Sequence, residues 1–242
     1  MNLSKYDSAL WYEIFVLWEY SYLDPYLKDA RVIFDIGTYK WFFTLYSLMY
    51  RSNWCLLCDF QECIHYLKNS PVDSFSSLEF HLFDPNLSIN AAILIDLFIS
   101  SDIKFYLNDS LVGSEDSSQE FFYNEARPMQ SSVFWNSFLQ KNSSSSWSFP
   151  IISLWHYILR MSTCIDICKM DIEWSEWDIL FSFSSLEFSR ISVLFLEYHI
   201  LFDEWLSYPD KLQKHLTQFY NSVTIIPSPY TTKLWYILAT NE

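Results

Sequence analysis

Residues Phe34–Tyr46, FDIGTYKWFFTLY, decide how the rest of the chain is read. The segment opens as the end of an apolar run, RVIFDIG (31–37), turns at a glycine, and resumes as an aromatic helix, WFFTLYSLMY (41–50). An unbroken apolar run of this length closed by an acid and a glycine predicts a strand buried on both faces, as in a parallel sheet. Position 41 is the anomaly. A tight strand-to-helix turn favours residues with little or no side chain, and this chain places Trp41 there.

Working outward, strand-like and helix-like segments alternate. ECIHYLKN (62–69) is helical, and CLLCDF (55–60), LEFHLFD (78–84), AAILID (91–96) and IKFYL (103–107) are strand candidates. Further on, ISLWHYILRM (152–161), SEWDILFSF (175–183) and YPDKLQKHLTQFY (208–220) are predicted helices. CIDICKMD (164–171) and ISVLFLEYH (191–199) are predicted strands between them. SVTII and KLWYILAT close the chain as two strands joined by PSPYTT, so one of them runs antiparallel. Helices and strands in this alternation imply βαβ units and a mostly parallel, doubly wound α/β sheet. The polar stretch 108–119 and the NSSSSWS segment at 142–148 are expected to be loops, bounding a loop-rich insertion over about 108–150. Residues 1–30 are expected to form a helical extension, with Leu10, Ile14, Leu17 and Trp18 at helical spacing, and 31–242 the main domain.

Composition narrows the function. With 29 acidic and 15 basic side chains the formal net charge is −14, a field that repels phosphate backbones and argues against nucleic acid as a partner. The apolar stretch near the start carries Asp7, Glu13 and Glu19, unlike a signal peptide, and no run is long enough for a membrane helix, so a soluble, cytoplasmic protein is expected. Five cysteines, an odd number set in apolar runs, predict buried free thiols rather than a disulfide framework. Cys55 and Cys58 have C-x-x-C spacing, but on a strand they would point to opposite faces. No ligand spacing demands a metal.

The acids fall at predicted strand ends: Asp35, Asp59, Asp171, and Glu197 with His199. In a doubly wound sheet ligands bind beyond the carboxyl ends of the strands. Asp59 lies 22 residues after Gly37, the distance at which an acid commonly accepts hydrogen bonds from ribose hydroxyls in nucleotide-type sites. There is no G-x-G-x-x-G and no phosphate-binding G-x-x-x-x-G-K sequence, which disfavours a dinucleotide or nucleoside triphosphate.

VIFDIGTYKWFFTLY (32–46) resembles the first motif of the FkbM-type S-adenosylmethionine-dependent methyltransferases. IDICKMDIEWSEWDIL (165–180), the most specific match, resembles that family's second signature, and VLFLEYH (193–199) is similar to its later strand. The resemblance spans about residues 30–242, loosely between 70 and 150. It implies a Rossmann-like class I methyltransferase fold and transfer of a methyl group from S-adenosylmethionine to oxygen on a sugar, glycan or related small molecule. It also implies Asp35, Gly37 and Asp59 as cofactor-binding residues, and Asp171, Glu173, Glu176 and His199 as candidates for removing the acceptor's proton. Three family glycine positions hold tryptophan here, at Trp41, Trp54 and Trp174, in a chain with 2 glycines and 11 tryptophans. Two readings follow. Either UGA codons translated as tryptophan are glycine in the organism's own code, or the chain is a catalytically inactive relative that serves as a binding module.

Overall fold

The computed structural model describes residues 5–39, 41–52, 60–69, 75, 77–85, 102–123, 145–172, 176–199, 208–228 and 234–241. They divide into two compact units, Met1–Asp109 and Ser110–Glu242.

In the first unit β1 (Val32–Ile36) is buried at every position, its four apolar residues and Asp35 alike, as a strand covered on both faces requires. It runs parallel to β2 (Glu79–Phe83), with Ile36 opposite Phe83, and β2 runs parallel to β3 (Lys104–Asn108). Among the described residues, the α-helices α1 (Lys5–Phe15), α2 (Asp24–Leu27), α3 (Phe42–Arg51) and α4 (Phe60–Asn69) accompany these strands. Phe42 to Met49 of α3 are all buried, so this helix is enclosed rather than amphipathic. Arg51 at its end donates to the carbonyls of Leu27, Lys28 and Ala30, satisfying acceptors left over at the end of α2. His81, in β2, stacks on Tyr106 and lies against Phe34, and burial pulls its imidazole down to about 4, which keeps it neutral.

The face of α1 differs from the sequence reading. Trp11, Ile14 and Phe15 are buried, with the Trp11 ring stacked on Phe15 and edge-on to Phe42 and Phe60, whereas Leu17 and Trp18 are exposed. The helix ends at Phe15, and beyond it the periodicity no longer reports a helical face. Val16 and Leu17 both donate to the Tyr12 carbonyl, and Trp18 takes a left-handed conformation, φ 60°.

In the second unit β7 (Ile165–Met170) is parallel to β8 (Ile191–His199). β10 (Leu234–Thr240) pairs antiparallel with both β8 and β9 (Ser222–Pro227), the expected reversed terminal strand. Between β7 and β8 lie α6 (Glu176–Ser182) and α7 (Ser185–Phe188), the latter opened by a Ser184–Glu187 capping box; α8 (Tyr208–Leu216) follows β8. The seven-stranded sheet is mainly parallel, with β3-β2-β1 as the first unit's order and β7-β8-β10-β9 as the second's. The fold is therefore the expected mixed α/β, Rossmann-like one. Cys63 and Cys168 are buried free thiols, whereas Cys164 is exposed; Cys55 and Cys58 lie outside the described residues.

The expected loops are corrected. β4 (Leu111–Gly113), β5 (Ser117–Tyr123) and β6 (Ser145–Ser153) form a second, three-stranded sheet in the order β4-β6-β5, running into α5 (Leu154–Arg160). Serine-rich composition concealed these strands, because strand preference reflects pairing as much as side-chain type. Pro150 is tolerated because β4 pairs only with Ile151–Ser153. Gly113 is required, since a Cβ there would stand 2.6 Å from Ile151 Cγ2. Asp116 ties the sheet to α5, accepting from the Ser153 amide at 2.7 Å and lying 2.9 Å from His156 Nδ1. Among the described residues no helix is long and apolar enough to cross a membrane.

The Trp18 backbone yields a stability prediction. A left-handed residue just past a helix end favours glycine, and the Trp18 ring is 44% exposed, so little packing is at stake. Trp18→Gly is expected to stabilise the protein by about 0.5–1 kcal/mol, read as a higher urea midpoint with an unchanged slope.

Candidate functional site

The first unit's candidate site is the turn from β1 into α3. Asp35 is fully buried, and its Oδ2 accepts from Thr44 Oγ1 at 2.9 Å, which draws the first turn of α3 onto the strand end. Thr38 Oγ1 donates to the Asp35 carbonyl at 2.6 Å. Gly37 takes φ 75°, and the amides of Gly37 and Thr38 both donate to the Phe83 carbonyl, at 2.9 and 3.2 Å. The turn is thereby pinned to the end of β2. Tyr39 and Trp41 follow at φ 48° and 52°, and Trp41 donates to the Thr38 carbonyl at 2.7 Å before α3 begins.

An acid that the sequence reading passed over completes this turn. Asp84, the residue after β2, accepts from the Tyr39 amide through Oδ2 at 2.9 Å. It is the carboxylate at the carboxyl end of β1's parallel neighbour, the place in which Asp59 was expected. Asp59 lies outside the described residues. The signal was present in LEFHLFD (78–84), a strand ending in an acid.

The second unit's candidate site stands at the ends of β7 and β8. Met170 is opposite Leu196 in the parallel register, and the next residues are Asp171 and Glu197. His199 is two residues beyond Glu197 on the same strand, hence on the same face. One ligand atom each from Asp171, Glu197 and His199 lies within 4.8 Å of the others. His199 Nε2 is 3.7 Å from Glu197 Oε1, too long for a hydrogen bond. Lys169, itself buried, places Nζ 3.7 Å from Asp171 Oδ2. Of the four proton-acceptor candidates, Asp171 and His199 come together, Glu176 lies within their electrostatic reach, and Glu173 is outside the described residues. Glu197, noted with His199 at the strand end but not among the proton acceptors, is the third member.

Glu176 opens α6 and is fully buried; its Oε1 accepts from the Ile172 amide at 2.9 Å. Burial pushes its carboxyl up to about 7, against the pull of the nearby His199 charge and the Ile172 hydrogen bond. A carboxyl poised there can exchange a proton near neutrality. Two carboxylates and an imidazole converging beside it can either hold a cation or bind and deprotonate a hydroxyl.

No family model matches the chain, and no curated protein sequence matches it either. Among solved structures it is similar to a putative RNA methyltransferase, PH1948, from Pyrococcus horikoshii, with 11% identity over 97% of this chain and 84% of that one and a TM-score of 0.42. It is also similar to precorrin-6y C5,15-methyltransferase from Geobacter metallireducens GS-15, with 11% identity over 93% and 86% and a TM-score of 0.40.

The raised carboxyl of Glu176 fixes the sign of a pH effect. A folded-state value above the ordinary 4.5 means that the folded protein holds the extra proton between about 4.5 and 7. Glu176's contribution to stability therefore declines as pH rises through that window and levels off above it. Glu176→Gln, which keeps a carbonyl for the Ile172 amide, is expected to flatten this decline and to stabilise the protein at pH 8 by on the order of 2–3 kcal/mol relative to pH 5. Urea unfolding of both proteins at the two pH values, in chelator-treated buffer, measures it.

Proposed function

We propose that the protein is an S-adenosylmethionine-dependent methyltransferase acting on oxygen of a sugar, glycan or related small molecule, and a member of the FkbM type. The observation that carries this reading is the β1 turn: a buried Asp35, Gly37 at φ 75°, and Asp84 closing the neighbouring strand. Strand, glycine turn, helix, and an acid on the adjacent strand are the parts that a nucleoside-type ligand needs. The acceptor class rests on the resemblance of residues 32–46 and 165–180 to that family.

The turn's backbone fits the cofactor. Gly37 leaves room for close approach, and the left-handed backbone at position 41 is one that glycine adopts freely. The Trp41 side chain is buried at this turn, 3% exposed, and would compete with a ligand for the same space. When bound, S-adenosylmethionine supplies a methyl group on a sulfonium. Gly37 and Thr38 would border its methionine part, Asp35 would hold the turn in shape, and Asp84 would accept from the ribose hydroxyls, the task first assigned to Asp59. In the second unit Asp171, Glu197 and His199, with Glu176 and Glu173 nearby in sequence, would bind the acceptor hydroxyl and take its proton. Alignment and exclusion of water are the protein's remaining contributions.

Calorimetric titration of S-adenosylmethionine into the chain as written, and into a variant with glycine at 41, 54 and 174, tests this. The glycine variant is expected to bind at least about 10-fold more tightly, and Asp84→Asn in that background to lose about 1–2 kcal/mol of binding. UGG codons at the three positions would remove the recoding explanation for the difference. If neither folded protein binds, the methyltransferase reading gives way to the inactive binding module.

A further inference from the structure

The Asp171–Glu197–His199 cluster brings two carboxylates and an imidazole together at a spacing suited to a shared cation. Three ligand atoms fall within 4.8 Å of one another, and the His199–Glu197 approach is 3.7 Å. Donor atoms around a shared cation at about 2.0–2.3 Å stand roughly 3–4.5 Å apart, so a small contraction would complete such a shell. The three side chains are only 12–24% exposed, which leaves a face open to solvent or substrate while limiting hydration of the charges.

Glu176 supplies an independent indication. It is fully buried, one carboxylate oxygen is taken by the Ile172 amide, and the other, Oε2, has no hydrogen-bond partner among the described residues. The hydrogen bond from the amide of Ile172, the residue after Asp171, sets this carboxyl at the same strand end. Asp171 Oδ1 is likewise buried and without a hydrogen bond. Buried carboxylate oxygens are costly to leave unsatisfied. Lys169 Nζ stands 3.7 Å from Asp171 Oδ2, on the other oxygen of that carboxylate.

We propose that Asp171, Glu197 and His199 bind one divalent first-row cation such as Mn²⁺, with Glu176 Oε2 accepting from a water on that cation. A mixed set of hard oxygens and one imidazole suits such ions better than Ca²⁺, which takes an all-oxygen shell. The open side of the shell would take an acceptor hydroxyl, whose acidity the cation raises; its proton would pass through the bound water to Glu176, with His199 as ligand rather than base. Cation binding stands on this geometry alone; its use on an acceptor rests on the methyltransferase reading.

The test titrates Mn²⁺ alone into the full chain and follows the loss of the free-ion signal by electron paramagnetic resonance, with circular dichroism confirming the fold of each variant. One Mn²⁺ per chain is expected, with Kd below about 100 μM. Asp171→Asn and Glu197→Gln are each expected to weaken it at least 10-fold. Pulsed measurements should show nitrogen modulation that disappears in His199→Gln. Absence of binding up to 1 mM by the folded protein overturns the proposal. Undiminished binding by both folded carboxamide variants overturns it too. The readout contains no S-adenosylmethionine, so the cation site and the cofactor reading fail separately.

Discussion

Burying the Asp35 carboxylate at the end of β1 is the constraint around which the first unit is arranged. A carboxylate taken out of water costs several kcal/mol unless hydrogen bonds replace the lost hydration. Thr44 donates one, and it can do so only if the first turn of α3 lies directly over the strand end. That leaves five residues, 37–41, to reverse the chain, and Gly37, Tyr39 and Trp41 all take positive φ to do it. The carbonyl of Phe83 and the carboxylate of Asp84 then satisfy amides that so tight a turn leaves over. Strand end, turn and neighbouring strand are thus fixed as one object, which is what a ligand reading backbone positions requires.

The second unit reaches its cluster by a different route. The parallel register of β7 and β8 puts Asp171 and Glu197 directly after the paired Met170 and Leu196, and strand alternation returns His199 to the same face as Glu197. The convergence of Asp171, Glu197 and His199 follows from sheet geometry, and the burial of Glu176 is what raises its proton affinity toward neutrality. Such an arrangement keeps charge in reserve at the strand ends, where the chemistry of an α/β sheet is normally performed.

Much of this was legible in the sequence because it depends on local pattern. β1, β7 and β8 are short runs rich in apolar residues and bounded by polar ones, and a largely buried run of that kind needs no knowledge of its neighbours to be recognised. Asp84 was not legible by the same means. Which strand lies beside β1 is a tertiary fact, and counting about 20 residues from Gly37 led to Asp59 instead of the acid that closes β2. The sheet of β4, β5 and β6 was hidden for a related reason: its serines and glutamine give no alternation, and its strands exist through their pairing. On α1 the periodicity misled, since Leu17 and Trp18 continue the spacing past the point where the backbone leaves the helix.

The two glycines and the tryptophans carry one argument further. Both glycines stand where the backbone demands them: Gly37 at φ 75°, and Gly113 where a Cβ would collide with Ile151. Four other described residues take positive φ, and two of them are Trp18 and Trp41. Left-handed backbone costs a large side chain about 1–2 kcal/mol, and glycine essentially nothing. Position 41 was singled out by family resemblance, position 18 by backbone geometry alone, and they agree on the residue type that would relieve them. Decay of an idle enzyme offers no reason for tryptophan, among the rarest residues, to accumulate where glycine fits best. A code in which some of these codons mean glycine supplies that reason. Tyr39 and Ser77 show that the fold tolerates the conformation elsewhere; what sets Trp18 and Trp41 apart is the residue type that recurs, not strain as such.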